Sequence, residues 1–394
     1  MTGAILTLNA GSSSLKFALF IHDDRGLRKT VHGQVEGLGS APHLIANNAD
    51  GAVLTDHRWA SGVELGHEAF LEPVFALADE HLDGATLSAI GHRIVHGGLT
   101  FRQPELINAD VLRQLDALVP LAPLHQPHNL AAVRAAQIAR PGLPQVACFD
   151  TAFHASHAET VTHLALPPPW HEQGVRRYGF HGLSYEFIAD RLRALDPILA
   201  AGRVIVAHLG NGASLCAIHD GVSVDTTMGF TTLDGLVMGT RCGNLDPGVI
   251  LFLQQQAGLT IEAVQDLLYS RSGLLGVSGL SSDMRVLLAS DDPKAKAAVD
   301  LFVFRIVREL GALTASLGGL DGVVFTAGIG ENAPEIRARV IQRLAWMGAV
   351  LDPAANGLGE GLISTAASGL KVLVAPTDEE TMIARHSVRV LSAE

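Results

Sequence analysis

The sequence predicts a two-domain α/β protein whose halves repeat one strand–turn–strand unit. Three observations carry this expectation. The chain has 394 residues, more than a single hydrophobic core usually organises, so two domains are expected. Residues 6–20 read as an apolar strand, a small hydroxyl-rich turn and a second apolar strand, and residues 203–218 repeat that arrangement. A shift of 200 places Gly210 on Ala10, Ser214 on Ser14 and Leu215 on Leu15. Between and after these hairpins, helical and strand patterns alternate, the grammar of an α/β sheet.

In the first hairpin the turn runs from Asn9 to Ser14, with Lys16 just beyond. Such a tip brings backbone N–H groups, hydroxyls and an ammonium against a phosphate. Only five lysines occur in the chain, which argues against Lys16 as solubility decoration. Small residues also make tight turns in proteins that bind nothing, so the anion reading needs company. A strand at 89–95 delivers Arg93 and ends in His96-Gly97-Gly98. An alanine-rich helix at 130–140 stops at Pro141-Gly142, and a buried strand at 145–149 follows, with Asp150 at its carboxyl end. Ligands of open α/β sheets sit outside the carboxyl ends of strands. Structural readings are available too: Asp150 as a turn cap, His96 as the donor to a carbonyl. Late in the chain a strand at 323–326 leads into Gly328-Ile-Gly330 and then a helix. There Asn332-x-x-Glu335 resembles a capping box, Pro334 suits the first turn, and Ile336, Val340, Ile341 and Leu344 form an apolar face.

Composition narrows the function. Hydrophobic residues make up 48% and charged residues 17%, which suits a packed globular protein. Lysine and arginine total 28 against 40 acidic residues, a formal charge of −12. Such a surface repels nucleic acid and anionic membranes, so no nucleic-acid or membrane partner is expected. Cys148, Cys216 and Cys242 are far apart, which points to reduced thiols in a cytoplasmic protein. The amino terminus has no basic region followed by an apolar core, so no signal peptide is expected, and no apolar run approaches membrane-spanning length. Despite 18 histidines, the chain has no HExxH and no paired CxxC, and it lacks a P-loop and a GxSxG elbow. A nucleotide would need another phosphate cradle.

Nine blocks, read in order, resemble the acetokinase family, the short-chain acyl phosphate kinases. They are Asn9-Ala-Gly-Ser-Ser-Ser-Leu-Lys16, His92-Arg-Ile-Val-His-Gly-Gly98, Ala122-Pro-Leu-His-Gln-Pro-His-Asn129, Phe149-Asp-Thr-Ala-Phe-His154, Arg177-Tyr-Gly-Phe-His-Gly182, His208-Leu-Gly-Asn-Gly212, Met238-Gly-Thr-Arg241, Gly328-Ile-Gly-Glu-Asn332 and Thr377-Asp-Glu-Glu380. The resemblance implies two ribonuclease-H-like α/β domains of the acetate and sugar kinase, heat-shock chaperone and actin superfamily, with an interdomain cleft. It implies an amino-terminal domain of residues 1–151 plus 382–394 and a nucleotide-binding domain of residues 152–381. A homodimer is implied as well.

The activity implied is reversible, ATP- and Mg²⁺-dependent phosphorylation of acetate to acetyl phosphate and ADP, with Mn²⁺ an alternative metal. Carboxylates titrate near pH 4.3, so at neutral pH the acceptor is already a nucleophile and needs no general base. Catalysis must come from holding two anions in line and neutralising the moving phosphoryl group. By resemblance, Arg93 binds the substrate carboxylate or phosphoryl oxygens, while Arg241 and His181 stabilise the transition state. A planar guanidinium meets two oxygens together and keeps its proton. Asp150 is the remaining catalytic position, expected to polarise a metal-bound water or hold an arginine. Asn9 and Glu379 match the metal-associated positions, acting through water because Mg²⁺ dehydrates reluctantly. ATP contacts are implied for Lys16, for His208, Leu209, Gly210, Asn211 and Gly212, for Asp283, Met284 and Arg285, and for Gly328, Ile329, Gly330, Glu331 and Asn332. Val95, Leu124 and Phe180 match the apolar methyl pocket.

The chain departs from the family at Phe230-Thr-Thr232, where Thr232 replaces a proline, and at Asp234, where glutamate is common. One methylene discriminates by only about 1–3 kcal/mol, so propionate or butyrate is the alternative acceptor. A non-catalytic ATP switch of the actin kind is the alternative class. Such a switch has no use for Arg93, Phe180, His181 and Arg241 around a small acid.

Overall fold

The computed structural model describes residues 3–11, 14–38, 41–60 and 67–393. Ser12 and Ser13, in the turn of the first hairpin, lie outside the described residues. The chain divides into two compact units, Met1–Ala152 with Asp378–Glu394, and Phe153–Thr377.

The sheet of the first unit contains β1 (Gly3–Ala10), β2 (Ser14–Asp23), β3 (Gly26–Glu36), β4 (His43–Asn48), β5 (Val53–Arg58), β6 (Thr86–Ile94), β7 (Glu105–Leu106) and β8 (Gln145–Phe149). Among the described residues their order is β5-β4-β3-β2-β1-β6-β8-β7. The second unit contains β9 (Arg203–Leu209), β10 (Ala213–His219), β11 (Val222–Thr226), β12 (Gly322–Thr326), β13 (Gly361–Leu362) and β14 (Lys371–Val374), ordered β11-β10-β9-β12-β14-β13. Both units therefore share one plan. An antiparallel meander (β3-β2-β1 or β11-β10-β9) is extended by two parallel strands (β6 and β8, or β12 and β14). This is the ribonuclease-H-like arrangement, and the sequence repeat at a spacing of 200 is its trace.

Each central strand is covered on both faces, so β1 and β9 are apolar almost throughout rather than alternating. One face of the first sheet packs Leu6, Leu8 and Ile90 with Phe70, Val74 and Ala136. On the other face, Ile5, Ala18, Phe20 and Ala89 meet Ala384, Val388 and Leu391 of the carboxyl-terminal helix Glu379–Ser392. Gly91 permits that approach, because a Cβ there would stand 2.5 Å from both Ile383 Cγ2 and Ser387 Oγ. The first long helix after β8, Gly182–Leu195, covers the second sheet instead, with Tyr185, Ile188 and Leu192 against Val204, Val206 and Val324. Each sheet is thus completed by the first long helix beyond the other sheet's last parallel strand.

Some expectations shift in detail. The helix expected at 130–140 spans Gln126–Ala139, since Pro127 in its first turn pre-sets helical φ. The strand expected at 89–95 runs Thr86–Ile94. The domain boundary expected after residue 381 falls after Thr377, because Asp378 caps a helix that packs on the first sheet. The glycine segment at 328–330 is not an open loop: Ala327–Asn332 is itself a short helix, entered through Ala327 at φ 65°. No capping box forms, because Asn332 belongs to that helix and donates to the Gly328 carbonyl, while Glu335 pairs with Arg339. All three cysteines are free thiols. No helix among the described residues is long and apolar enough to cross a membrane.

Burial holds several imidazoles below their ordinary value of 6.5, among them His92 and His96 at about 4 and His154 at about 3. A lowered histidine leaves the folded state binding fewer protons than the unfolded state below pH 6.5. Their contribution to stability is therefore complete above pH 6.5 and is lost as pH falls towards 4, by about 2 kcal/mol each at pH 5. Thermal unfolding should occur at lower temperature at pH 5 than at pH 7.5, and His92→Gln should narrow the gap. An equal or higher melting temperature at pH 5 would contradict this.

Candidate functional site

In the first unit, β6 lies between β1 and β8 and runs parallel to both. The carboxyl ends of the three strands therefore bring Asn9, Arg93 and Asp150 to one edge. Arg93 donates from Nε and Nη2 to Asp150, at 2.9 and 2.6 Å, and from Nη1 to Asn9 Oδ1 at 3.1 Å. Asn9 Nδ2 donates to Glu379 Oε2 at 3.2 Å, and Glu379 lies 3.8 Å from Arg93 Nη1. Of five guanidinium N–H groups, these bonds use three and leave one hydrogen on each terminal nitrogen. Burial opposes the charge on Arg93, but Asp150 and then Glu379 outweigh it and raise its pKa further. Asp150 thus holds an arginine, one of the two roles expected of it.

The support beneath this cluster comes from residues to which sequence reasoning gave no role. Asn129 Oδ1 accepts from the Val95 N–H at 2.9 Å and Asn129 Nδ2 donates to the Ala10 carbonyl at 2.6 Å. Gln126 bonds both backbone groups of His96, and Thr151 Oγ1 accepts from Gly97. These amides do for the strand ends what a neighbouring strand would do. Gln126 and Asn129 sit in the 122–129 block, so the block itself was the available signal. Val95 is buried and Leu124 half-buried. Lys16 is exposed, opposite Asn9 in the β1–β2 register, and near Glu380. Lys16 is in the first unit, whereas the other residues expected to touch nucleotide are in the second.

In the second unit, His181 precedes helix Gly182–Leu195 at φ 57°, a left-handed conformation uncommon outside glycine. Two bonds hold this turn. His154 Nε2 donates to the Phe180 carbonyl at 2.9 Å, and Ser214 Oγ lies 2.8 Å from His181 Nδ1. Gly179 leaves room for His154, whose ring a Cβ would meet at 2.6 Å. The His181 ring stacks on that of His208, 4.2 Å between centroids. Arg241 Nη1 donates to the Thr232 carbonyl at 2.7 Å. Any residue at 232 supplies that carbonyl, so the Thr232 departure leaves the arginine's anchor intact. Asp234 pairs with Arg177 at 3.2 Å. A Cβ built on Gly212 would lie 2.7 Å from Arg241 Nη2 and 3.4 Å from His181 Nε2. The Arg241 guanidinium and the His181 ring therefore converge over a residue that has no side chain. Phe180 is fully buried and Thr232 is 8% exposed.

A cavity of 620 Å³ opens beside this turn, lined by Gly210, Asn211, Asp283, Met284, Arg285, Gly328, Ile329 and Asn332 among the expected residues. Ser282, Leu288, Ala333, Pro334 and Glu335 also line it, each flanking an expected block. Asp283 caps the helix Met284–Leu288 and grips Arg285 through Nε and Nη2. Leu209 and Gly330 are buried and do not line the cavity. Glu331 is a brace rather than a lining group: its carboxylate accepts from Ala327 N, Thr377 N and Thr326 Oγ1. Arg337 was missed altogether. It is 0% exposed and bonds the Gly330 and Glu331 carbonyls and Asn356, closing the end of the short helix at the cavity wall. Nothing in its local sequence separates it from an exposed arginine.

A divalent metal fits the first unit only in one manner. No group of three His, Cys, Asp or Glu that could cage a metal occurs among the described residues. Asn9 Oδ1 and the Glu379 carboxylate are oxygen donors, the hard ligands suited to an ion that keeps most of its waters and binds phosphate oxygens directly.

The convergence over Gly212 has a direct test. In Gly212→Ala the methyl displaces the Arg241 guanidinium, so turnover should fall about 10²-fold while the melting temperature stays near the parent's. Parental turnover would show that the space is not used.

The model of the Acetokinase family matches residues 4–385. The chain is 53% identical to acetate kinase of Rhizobium meliloti over 391 residues, covering 99% of each protein. It is similar to the crystal structures of Porphyromonas gingivalis acetate kinase (37% identity, TM-score 0.86, 99% and 100% coverage) and a propionate kinase from Francisella tularensis (37%, 0.88, 98% of each). The chain belongs to the Acetokinase family.

Proposed function

We propose that this chain catalyses reversible phosphoryl transfer between ATP and acetate, giving ADP and acetyl phosphate. The observation that carries this reading is the state of Arg93. It is charged and braced at three points by Asp150 and Asn9, with one hydrogen on each terminal nitrogen left over. Those two hydrogens match the paired oxygens of a carboxylate or phosphoryl group.

The chemistry asks little of proton transfer. Acetate attacks through a carboxylate oxygen, the bond from the terminal phosphorus to its bridging oxygen breaks, and ADP leaves with that electron pair. Arg93 orients the acceptor, while Arg241 and His181 donate to the equatorial oxygens as charge spreads over them. The anchor of Arg241 on the Thr232 carbonyl and the Nδ1 contact of His181 fix both donors beforehand. Asp150 acts through Arg93 rather than as an acid or base. The cavity lined by Asn211, Arg285, Gly328 and Ile329 takes the nucleoside, and Val95, Leu124 and Phe180 take the methyl group. Mg²⁺, or Mn²⁺ in its place, is the metal we assign to Asn9 and Glu379; when bound it neutralises phosphate charge. A cytoplasmic homodimer completes the reading. Exposed Leu245, Val249, Leu251, Phe252 and Ile261 of the second unit offer it an apolar surface.

Trapping acetyl phosphate as its hydroxamate tests the activity. Product should require ATP, Mg²⁺ and acetate together, and its absence at high enzyme concentration would overturn the proposal in favour of a nucleotide switch. Because Thr232 adds a hydroxyl where the family has proline, propionate is the second acceptor to measure. We expect kcat/KM for acetate to be the larger, and a tenfold propionate advantage would reverse the substrate assignment. Arg241→Ala should lower kcat by roughly 10³; unchanged turnover would remove Arg241 from the mechanism.

A further inference from the structure

The left-handed turn at His181 is tied to a buried hydroxyl chain that the reaction itself does not require. Tyr185 Oη lies 2.5 Å from Ser214 Oγ, and Ser214 Oγ lies 2.8 Å from His181 Nδ1. Tyr185 and Ser214 are both 0% exposed, so no solvent reaches either hydroxyl. Tyr185 stands four residues after His181 on the helix that begins there, and Ser214 stands on β10 opposite His208.

We propose that Tyr185 and Ser214 are positioning residues that fix the tautomer of His181, keeping Nδ1 an acceptor and leaving the ring hydrogen on Nε2, over Gly212. The inference rests on the catalytic reading of His181 and adds to it the reason the ring presents a donor. Hydrogen counting gives the direction. Burial raises the Tyr185 pKa well above its ordinary value, so the phenol keeps its proton. Ser214 Oγ is the hydrogen-bond partner Tyr185 Oη has among the described residues. The phenol therefore donates to Ser214, since otherwise a buried O–H would have no acceptor. Ser214 then has one hydrogen of its own, and its remaining side-chain partner among the described residues is His181 Nδ1. It donates there, and a nitrogen that accepts carries no hydrogen.

The reverse arrangement, with Nδ1–H donating to Ser214, would direct the serine hydrogen at Tyr185 and strand the phenol. A doubly protonated ring would leave the serine hydrogen stranded. Only the chain from Tyr185 through Ser214 to Nδ1 gives both buried hydroxyl hydrogens an acceptor. The chemical consequence lies at Nε2, 3.4 Å from the position of a Gly212 Cβ and beside Arg241. Phosphoryl oxygens are acceptors, so Nε2–H attracts them, whereas the other tautomer would present a lone pair.

Long-range ¹H–¹⁵N correlation spectra of enzyme labelled with ¹⁵N-histidine read the tautomer directly, and His181→Asn identifies the signals by their loss. The parent should show His181 protonated at Nε2 and bare at Nδ1. A proton on Nδ1 would overturn the proposal whatever the kinetics show. Tyr185→Phe removes only the hydroxyl and frees the Ser214 hydrogen to rotate. Both tautomers should then appear, with kcat falling about tenfold and KM for ATP and acetate little changed, less than the roughly 10²-fold loss of deleting a transition-state donor. An unchanged spectrum with unchanged kcat would also overturn it. His181→Ala at parental turnover would instead remove the catalytic reading beneath it, an outcome distinct from a wrong tautomer.

Discussion

The ion pair between Arg93 and Asp150 is the constraint on which the first unit is organised. A guanidinium at the end of a buried strand is costly unless its charge is matched and its donors are met. Asp150 meets both demands because β6 and β8 are parallel neighbours whose ends coincide, and Asn9 joins because β1 lies on the other side. The sheet order thus decides the geometry of the cluster. Glu379 arrives from the far end of the chain, on a helix that Gly91 allows to lie close against β6.

In the second unit Arg241 is anchored on the Thr232 carbonyl, and His181 on the Ser214 hydroxyl and the His208 ring. A carbonyl orients a guanidinium without neutralising it. Asp150 on Arg93 makes the opposite trade: more rigidity, less net charge.

Much of this was legible in the sequence, and the reasons differ by residue. The two hairpins were visible because buried central strands are apolar throughout and their turns are small. Arg93, Asp150, His181 and Arg241 stood out through the blocks that contain them. The Ala327–Asn332 helix was not legible, because Gly328-Ile-Gly330 suggests an open loop and nothing local signals the turn at Ala327. The domain boundary was misplaced by four residues, since only packing on the first sheet reveals where the last helix belongs. Arg337, Gln126, Asn129, Ser214 and Tyr185 went unassigned for one shared reason. Their importance lies in partners distant along the chain, and single-residue chemistry does not disclose which hydroxyl or amide will be buried next to which backbone group.

The account stands most directly on whether Asp150 acts through Arg93. A double-mutant cycle on kcat/KM, with Arg93→Lys, Asp150→Asn and the pair together, measures that dependence. If the carboxylate works by aiming the guanidinium, the double variant should be barely worse than the poorer single variant. Losses that multiply independently would contradict it, and would give Asp150 a role of its own in the chemistry.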